Sequence, residues 1–377
     1  MASERHGLAE VAGVFLKLGA IGFGGPAAHI ALMRDEVVRR RRWVDDRQFL
    51  DLIGAANLAP GPTSTELAIH LGARRAGWRG LMVAGVCFIV PAFLIVLAIA
   101  WLYERHGTDP AVVDLRYGIL PIVIAVITQA LWTLGRVAIK GVMPAVVVAG
   151  VAALFVVDVN PLLLLVTGAL VVMLWENRTR LQPWAGSIAP FLLALGGAGA
   201  AVSAPLWRIF LVFLKIGSIT FGSGYVLVAF LERDVVHTYG WLTNAQLLDA
   251  VAIGQVTPGP VFTTATFVGY QVEGFAGAVV ATLGIFLPSF VFVALLAPIV
   301  PRLRRSPWAG AALDGLNAAS LGLMAGVTLV LLDDAFPDAL TIAVGVVALL
   351  VLLRWRVNPA WLIGAGAVVG LARLALT

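Results

Sequence analysis

Asn57-Leu58-Ala59-Pro60-Gly61-Pro62-Thr63-Ser64-Thr65-Glu66 interrupts an apolar stretch and recurs 198 residues later as Gln255-Val256-Thr257-Pro258-Gly259-Pro260-Val261-Phe262-Thr263-Thr264. Pro-Gly-Pro cannot continue an α-helix, because each proline lacks an N–H and disfavours helical geometry in the residue before it. In a lipid environment the freed backbone groups are tolerable only where protein buries them or a water-filled cavity receives them. The same break made twice points to a fold built twice.

The likeness extends outward from this stretch. Phe15-Leu16-Lys17 matches Phe213-Leu214-Lys215, Phe23-Gly24 matches Phe221-Gly222, and Asp51 matches Asp249. After one residue drops out near Gly72, Gly77, Gly80, Pro91 and Gly118 match Gly274, Gly277, Pro288 and Gly315 in the order given, with Gly72 itself matching Gly269. An earlier break, Gly22-Phe23-Gly24-Gly25-Pro26, has its counterpart in Thr220-Phe221-Gly222-Ser223-Gly224. A hydrophobic chain of two such halves has the sequence form of a secondary transporter.

Of the 377 residues, 60% are hydrophobic and 12% charged, and the mean hydropathy is +0.96. A water-soluble protein could not cover its surface with so few charges. The expectation is an all-α polytopic membrane protein, an inverted-topology internal repeat with discontinuous, re-entrant helices. Six hydrophobic segments appear per half, roughly 8–24, 47–72, 79–104, 110–135, 141–157 and 159–176, then 206–223, 246–270, 276–300, 308–332, 337–353 and 357–376. We assign 1–180 to the first repeat and 205–377 to the second. Between them, 181–204 is a linker whose apolar run has no counterpart in the repeat. An odd number of crossings before the second half turns that half over.

The net charge of +5 reads as membrane orientation rather than nucleic-acid binding, since basic residues collect on the cytoplasmic side. Arg39-Arg40-Arg41-Arg42 becomes His237-Thr238-Tyr239-Gly240 in the second half, which opposite orientation requires. Full crossings by 8–24 and 47–72 would put the arginine run outside, whereas re-entrant segments keep it in the cytoplasm. Location in the inner membrane, an internal N-terminus, an external C-terminus and no cleaved signal peptide follow as expectations.

The residues after each break should start a half-helix whose N–H groups and dipole favour an anion. Thr63, Ser64, Thr65, Thr263 and Thr264 supply hydroxyls, Asn57 and Gln255 supply amides, and Gly24, Gly25, Gly61, Gly222, Ser223 and Gly259 let the backbone approach. Thr63 to Glu66 has the capping-box pattern. Lys17 and Lys215 attract an oxyanion, pair with Asp51 and Asp249, or snorkel to an interface. Glu66, Asp51 and Asp249 are candidate proton carriers. Arg34, Glu232 and Arg233 belong to clusters that form gating ion pairs or a solvated face. His29, His70 and His237 read as packing or surface residues. No metal site, cofactor or catalytic group is expected.

These residues resemble the chromate ion transporter family in its two-domain, long-chain form. The resemblance is carried by Phe15 to Gly19, by Phe23-Gly24-Gly25-Pro26, by the stretch from Asn57 to Pro62, and by their second copies. It covers nearly the whole chain and implies two homologous domains of opposite orientation that move chromate, usually as efflux conferring resistance. Sulfate, an oxyanion of like shape, is the competing substrate. An intramembrane enzyme of the lipid-diphosphate phosphatase type and an anion channel are the alternatives. The enzyme needs an arginine clamp, and no arginine follows either Pro-Gly-Pro within the motif. Gly364 to Gly370 would serve a homodimer face or packing within one chain.

Overall fold

The computed structural model describes residues 2–57, 60–107, 109–178, 205–221, 224, 226–296, 306–355 and 357–376. The 181–204 linker with its unpaired apolar run therefore lies outside the described residues, as do Gly222 and Ser223. Among those described, every regular element is helical. In the first repeat these are α1 (Ala2–Ile21), α2 (Gly25–Arg34), α3 (Asp46–Ala56), α4 (Thr63–His106), α5 (Pro110–Ala138), α6 (Val142–Val156) and α7 (Pro161–Glu176). The second supplies α8 (Leu206–Ile219), α9 (Val226–Leu231), α10 (Asn244–Val256), α11 (Thr264–Leu296), α12 (Pro307–Val330), α13 (Leu332–Ala335), α14 (Ala339–Trp355) and α15 (Pro359–Leu376).

The repeat is legible in local chemistry. Asp45 caps α3 in a reciprocal capping box with Gln48, and Thr243 caps α10 in the same way with Gln246, 198 residues on. The Thr63–Glu66 box expected from sequence does not form. Pro62 occupies the cap position of α4 without a side-chain cap, because the chain enters that helix directly from the proline. A π-helical turn follows α2 at Asp35–Arg40, and its twin follows α9 at Glu232–Thr238.

Neither α4 nor α11 is one straight rod. Backbone angles leave the helical region at Ala76–Gly77 and Glu273–Gly274, with positive φ at each glycine. Beyond the turn the chain folds back. A Cβ on Gly72 would overlap the Gly80 carbonyl, and one on Gly269 would overlap that of Gly277. Eight residues apart in a straight helix, such atoms would be separated by about 12 Å. The piece from Thr63 to Arg75 is thus a half-helix of about 20 Å, too short for a hydrocarbon core of about 30 Å. The piece beyond Gly77 is long enough.

Helices α4, α5, the Val261–Leu295 stretch and α12 are long and apolar enough to cross a membrane, and α6, α7, α14 and most of α15 are shorter apolar helices. Exposed Trp78 and Trp101 stand near the two ends of the long arm of α4, about 35 Å apart along a helix. Each has an arginine over its ring, Arg79 and Arg105, as residues at a membrane–water boundary do.

The halves interlock. Helix α5 packs against α14 and α15 of the second repeat, and its counterpart α12 packs against α6 and α7 of the first. Small residues permit it: a Cβ on Gly118 would overlap the Gly366 carbonyl, and one on Gly315 would stand 2.7 Å from Ala169 Cα. Gly370 likewise packs on the Asp114 carbonyl. The glycine face that sequence offered to a second copy is used, at Gly366 and Gly370, inside the chain.

Successive helices define two ends. Arg75, Ala138 and Lys140 lie at one, hereafter the arginine end, where Arg41 and Arg75 both reach Glu10 at 2.9 and 2.7 Å. Arg116, Asp158 and Asp338 lie at the far end. The connector after α9 meets that far end, where Arg233 pairs with Asp158.

Candidate functional site

The two broken stretches meet through reciprocal backbone hydrogen bonds. Gly61 N donates to Thr220 O at 2.8 Å, and Gly259 N donates to Gly22 O at 2.8 Å. Gly61 and Gly259 are matched positions, as are Gly22 and Thr220, so each Pro-Gly-Pro docks on the other repeat's earlier break. Reciprocal contacts of this kind are what a two-fold relation generates. Both glycines have positive φ, +139° and +95°, a region costly to any residue with a Cβ. His29, buried on α2, adds a third tie by placing Nε2 2.8 Å from Gly22 O. Sequence reading took it as a packing or surface residue, and its matched place in the second repeat holds Leu227.

Beside the first-repeat break lies a cleft of about 1510 Å³. Gly24, Asn57 and Thr63 line it, together with Gln129, Thr133 and Arg136 of α5, Lys140 just beyond its end, and Asp314, Asn317 and Ser320 of α12. The three α5 residues fall at i, i+4 and i+7, one face of the helix. Lys140 pairs with Asp314 at 3.2 Å. Arg136 is exposed to the cleft and has no partner among the described residues, and the buried Ser320 hydroxyl has none either. Neither α5 nor α12 was read from sequence as contributing to a site. The polar stripe on an otherwise apolar α5 was the available signal.

The remaining expected residues are placed elsewhere. Ser64, Thr65, Thr263, Thr264 and Gln255 are buried away from the cleft lining. Thr263 Oγ1 donates to Pro260 O and Thr264 Oγ1 to Val261 O, both at 2.8 Å, so the second repeat spends its hydroxyls on its own turn. Gly25 begins α2 with φ +75° and faces open space. Lys17 pairs with Glu36 at 3.3 Å and Lys215 with Asp234 at 2.6 Å. The alternative pairing with Asp51 and Asp249 is incorrect, because the π-helical turns bring the two later acids inward instead. Asp51 is exposed. Asp249 is buried against Arg116 Nε at 2.8 Å and Tyr103 Oη at 2.5 Å. Arg34 binds Asp46 at 2.7 Å on the surface, and Glu232 is buried. Glu66 is fully buried, and neither carboxylate oxygen has a hydrogen-bond partner.

The far end carries a layer of polar links. Tyr117 Oη donates to Asp338 at 2.6 Å, and Arg373 lies 3.7 Å from Asp114. With Arg116–Asp249–Tyr103 these join α4, α5, α10, α15 and the loop before α14. The hydrogen bonds from Tyr117 and from Thr341 hold the Asp338 carboxyl below its ordinary range.

The family model described as Chromate transporter matches residues 9–173 and again 207–371, two stretches that begin 198 residues apart. The chain is 33% identical over 354 residues to a probable chromate transport protein of Synechococcus elongatus, covering 92% of this chain and 90% of that one. It is 32% identical over 367 residues to a chromate transport protein of Cupriavidus metallidurans, covering 95% and 91%. With a chromate transport protein of Pseudomonas aeruginosa it shares 34% over 334 residues, 84% of this chain and 79% of that one. No solved structure matches it. The matched proteins are transporters rather than enzymes, which removes the phosphatase alternative. The paired family match, the interlocked apolar helices and the twice-broken helix place the chain in the chromate transporter family, as a multi-pass membrane protein built from two repeats.

Proposed function

We propose that the protein carries chromate across the inner membrane by alternating access, with the oxyanion held in the cleft beside the first-repeat break. The observation that carries the reading is Arg136, a cation with no partner among the described residues, at the wall of a cleft whose other lining includes Asn57, Thr63 and Ser320. A guanidinium donates two parallel hydrogen bonds to a tetrahedral oxyanion, and amide and hydroxyl groups fill its remaining acceptor positions. That two relatives are chromate transport proteins supports chromate as the substrate. Sulfate presents the same acceptor geometry and is the expected competitor.

Alternating access needs a site reached from one end and sealed at the other. The cleft runs from the break to Lys140, Asp314 and Asn358 at the arginine end, and the ion pairs around Arg116 and Asp249 close the far end. Arg116 and Arg136 lie 20 residues apart on α5, about 30 Å, the thickness of a hydrocarbon core. The inverted arrangement of the repeats is supported by the reciprocal Gly61 and Gly259 contacts and by the connectors, at the arginine end in the first repeat and at Asp158 in the second. We place the arginine end and N-terminus in the cytoplasm, the C-terminus outside, and read α3 with the start of α4 as a re-entrant pair. Chromate then leaves down an inside-negative potential worth about 2.3 kcal/mol per charge per 100 mV.

Purified protein in proteoliposomes tests this. Saturable chromate movement, inhibited by sulfate and lost in R136Q at unchanged stability, is the expected result. Equal flux through R136Q moves the site elsewhere, and non-saturating current favours a channel.

A further inference from the structure

The two Pro-Gly-Pro turns occupy matched places in the fold, and the side chains against them differ. A Cβ built on Gly259 would stand 2.8 Å from Ala92 Cβ. One built on Gly61 would stand 2.5 Å from Ser289 Oγ and 2.6 Å from Glu66 Oε1. Ala92 and Ser289 are matched positions on the long arms of α4 and α11, and Glu66 is matched by Thr264. The fold therefore makes this turn perfectly well with an alanine and a self-satisfied threonine. In the first repeat it holds a carboxylic side chain and a hydroxyl, both fully buried, neither with a hydrogen-bond partner. An acid that packing does not require, kept fully buried at the tip of a broken helix, needs another reason.

We infer that Glu66 and Ser289 form a proton-binding site at the first-repeat break, and that its proton is the coupling ion for transport. The inference rests on the transporter reading above. Burying an ionised carboxylate without a cation costs several kcal/mol, whereas the neutral acid needs only a hydrogen-bond partner. Adding one proton to the carboxylate makes a hydroxyl donor within reach of Ser289 Oγ. The other groups near it are few. His70 lies one turn further along α4 on the same face and is buried. Ser289 is the group that α11 presents. The cations of the neighbouring helices are engaged elsewhere: Lys17 with Glu36, Lys215 with Asp234 and Arg116 with Asp249. Sodium would require several more oxygen ligands than these side chains offer.

The site adjoins the machinery it would control. Gly61 N makes the cross-repeat hydrogen bond to Thr220 O, and Thr63, two residues on, lines the substrate cleft. A rocking motion that separates the two breaks would uncover Glu66 to water and release its proton, so proton release and substrate release share one movement.

Two measurements on full-length protein in lipid test this. The first is the infrared spectrum at neutral pH, which does not depend on any substrate. A deuterium-sensitive carboxylic-acid carbonyl band is expected in the wild type. It should be absent in E66Q and displaced in S289A, with both variants eluting as folded protein. A band unaltered in E66Q means that Glu66 is ionised and overturns the proposal. The second is chromate movement driven by an imposed pH gradient, compared with chromate–chromate exchange. E66Q should lower the ratio of driven to exchange flux by about tenfold or more. A ratio equal to that of the wild type, or driving by a sodium gradient instead, overturns the coupling role. Should the wild type move no chromate at all, the substrate reading fails while the infrared result still decides the proton site.

Discussion

The first and second Pro-Gly-Pro breaks have the same backbone and different chemistry. Both turn at a left-handed glycine, and both dock on the other repeat through one hydrogen bond of 2.8 Å. Around Gly61, however, Thr63 faces the cleft and Glu66 sits buried beside Ser289. Around Gly259, Val261 replaces Thr63, and the following threonines bond back to their own turn. The shared features describe what the fold requires. On the proposed reading, the unshared ones mark where a duplicated scaffold has been given separate tasks, with substrate and proton handled at the first break and the second serving as its structural partner.

The largest expected effect falls on the shared features. Gly61→Ala and Gly259→Ala each force a Cβ into left-handed backbone and into a filled space, at about 3 kcal/mol or more. Both should lower thermal stability in detergent to a similar extent. Tolerance of one but not the other would show that the two breaks are not equivalent supports.

Next come the matched aspartates. Asp249→Asn leaves Arg116 without its ion pair at the far end and should cost about 2–3 kcal/mol, reduced from the fully buried case because Arg116 is partly exposed. Asp51→Asn, at an exposed position, should cost no more than about 1 kcal/mol. Melting temperatures of the two variants check the contrast.

Arg136 has Asp333 at its matched position, so one end of the molecule carries the cation and the other an acid. Arg136→Gln removes charge-assisted hydrogen bonds to the anion, and chromate flux should fall about 10- to 100-fold. Asp333→Asn should leave the flux within about twofold. The smallest effect belongs to the matched lysines. Lys17 and Lys215 are half-exposed, so Lys17→Met and Lys215→Met should each cost no more than about 1 kcal/mol, weakening further in high salt. A large loss of transport in either, at wild-type stability, would return the lysines to the substrate site.

The sequence made the repeat, the breaks and all twelve apolar segments legible, because Pro, Gly and apolar periodicity act locally. It did not reveal α2, a ten-residue helix carrying His29 and following a Gly-Gly-Pro that reads as a turn. Nor could it choose partners for Lys17 and Lys215, since Glu36/Asp234 and Asp51/Asp249 are equally well matched as pairs. Geometry from the π-helical turns decides between them. Asn57 and Thr63, which line the cleft, were legible as candidates because they flank a break. Arg136 was not, because nothing local joins it to residues that lie 73 positions away or more in sequence, and only the packing of α5 beside the break brings them to one cleft.

The division of labour between the breaks is tested most directly by removing one hydroxyl from each without changing its shape. Initial rates of chromate uptake should be measured in proteoliposomes for Thr63→Val, which writes the second-repeat residue into the first, and for Thr264→Val. The account predicts that Thr63→Val lowers uptake per folded molecule about tenfold, whereas Thr264→Val loses about 1 kcal/mol of stability and keeps its uptake. Equal loss in both, or loss only in Thr264→Val, would contradict it.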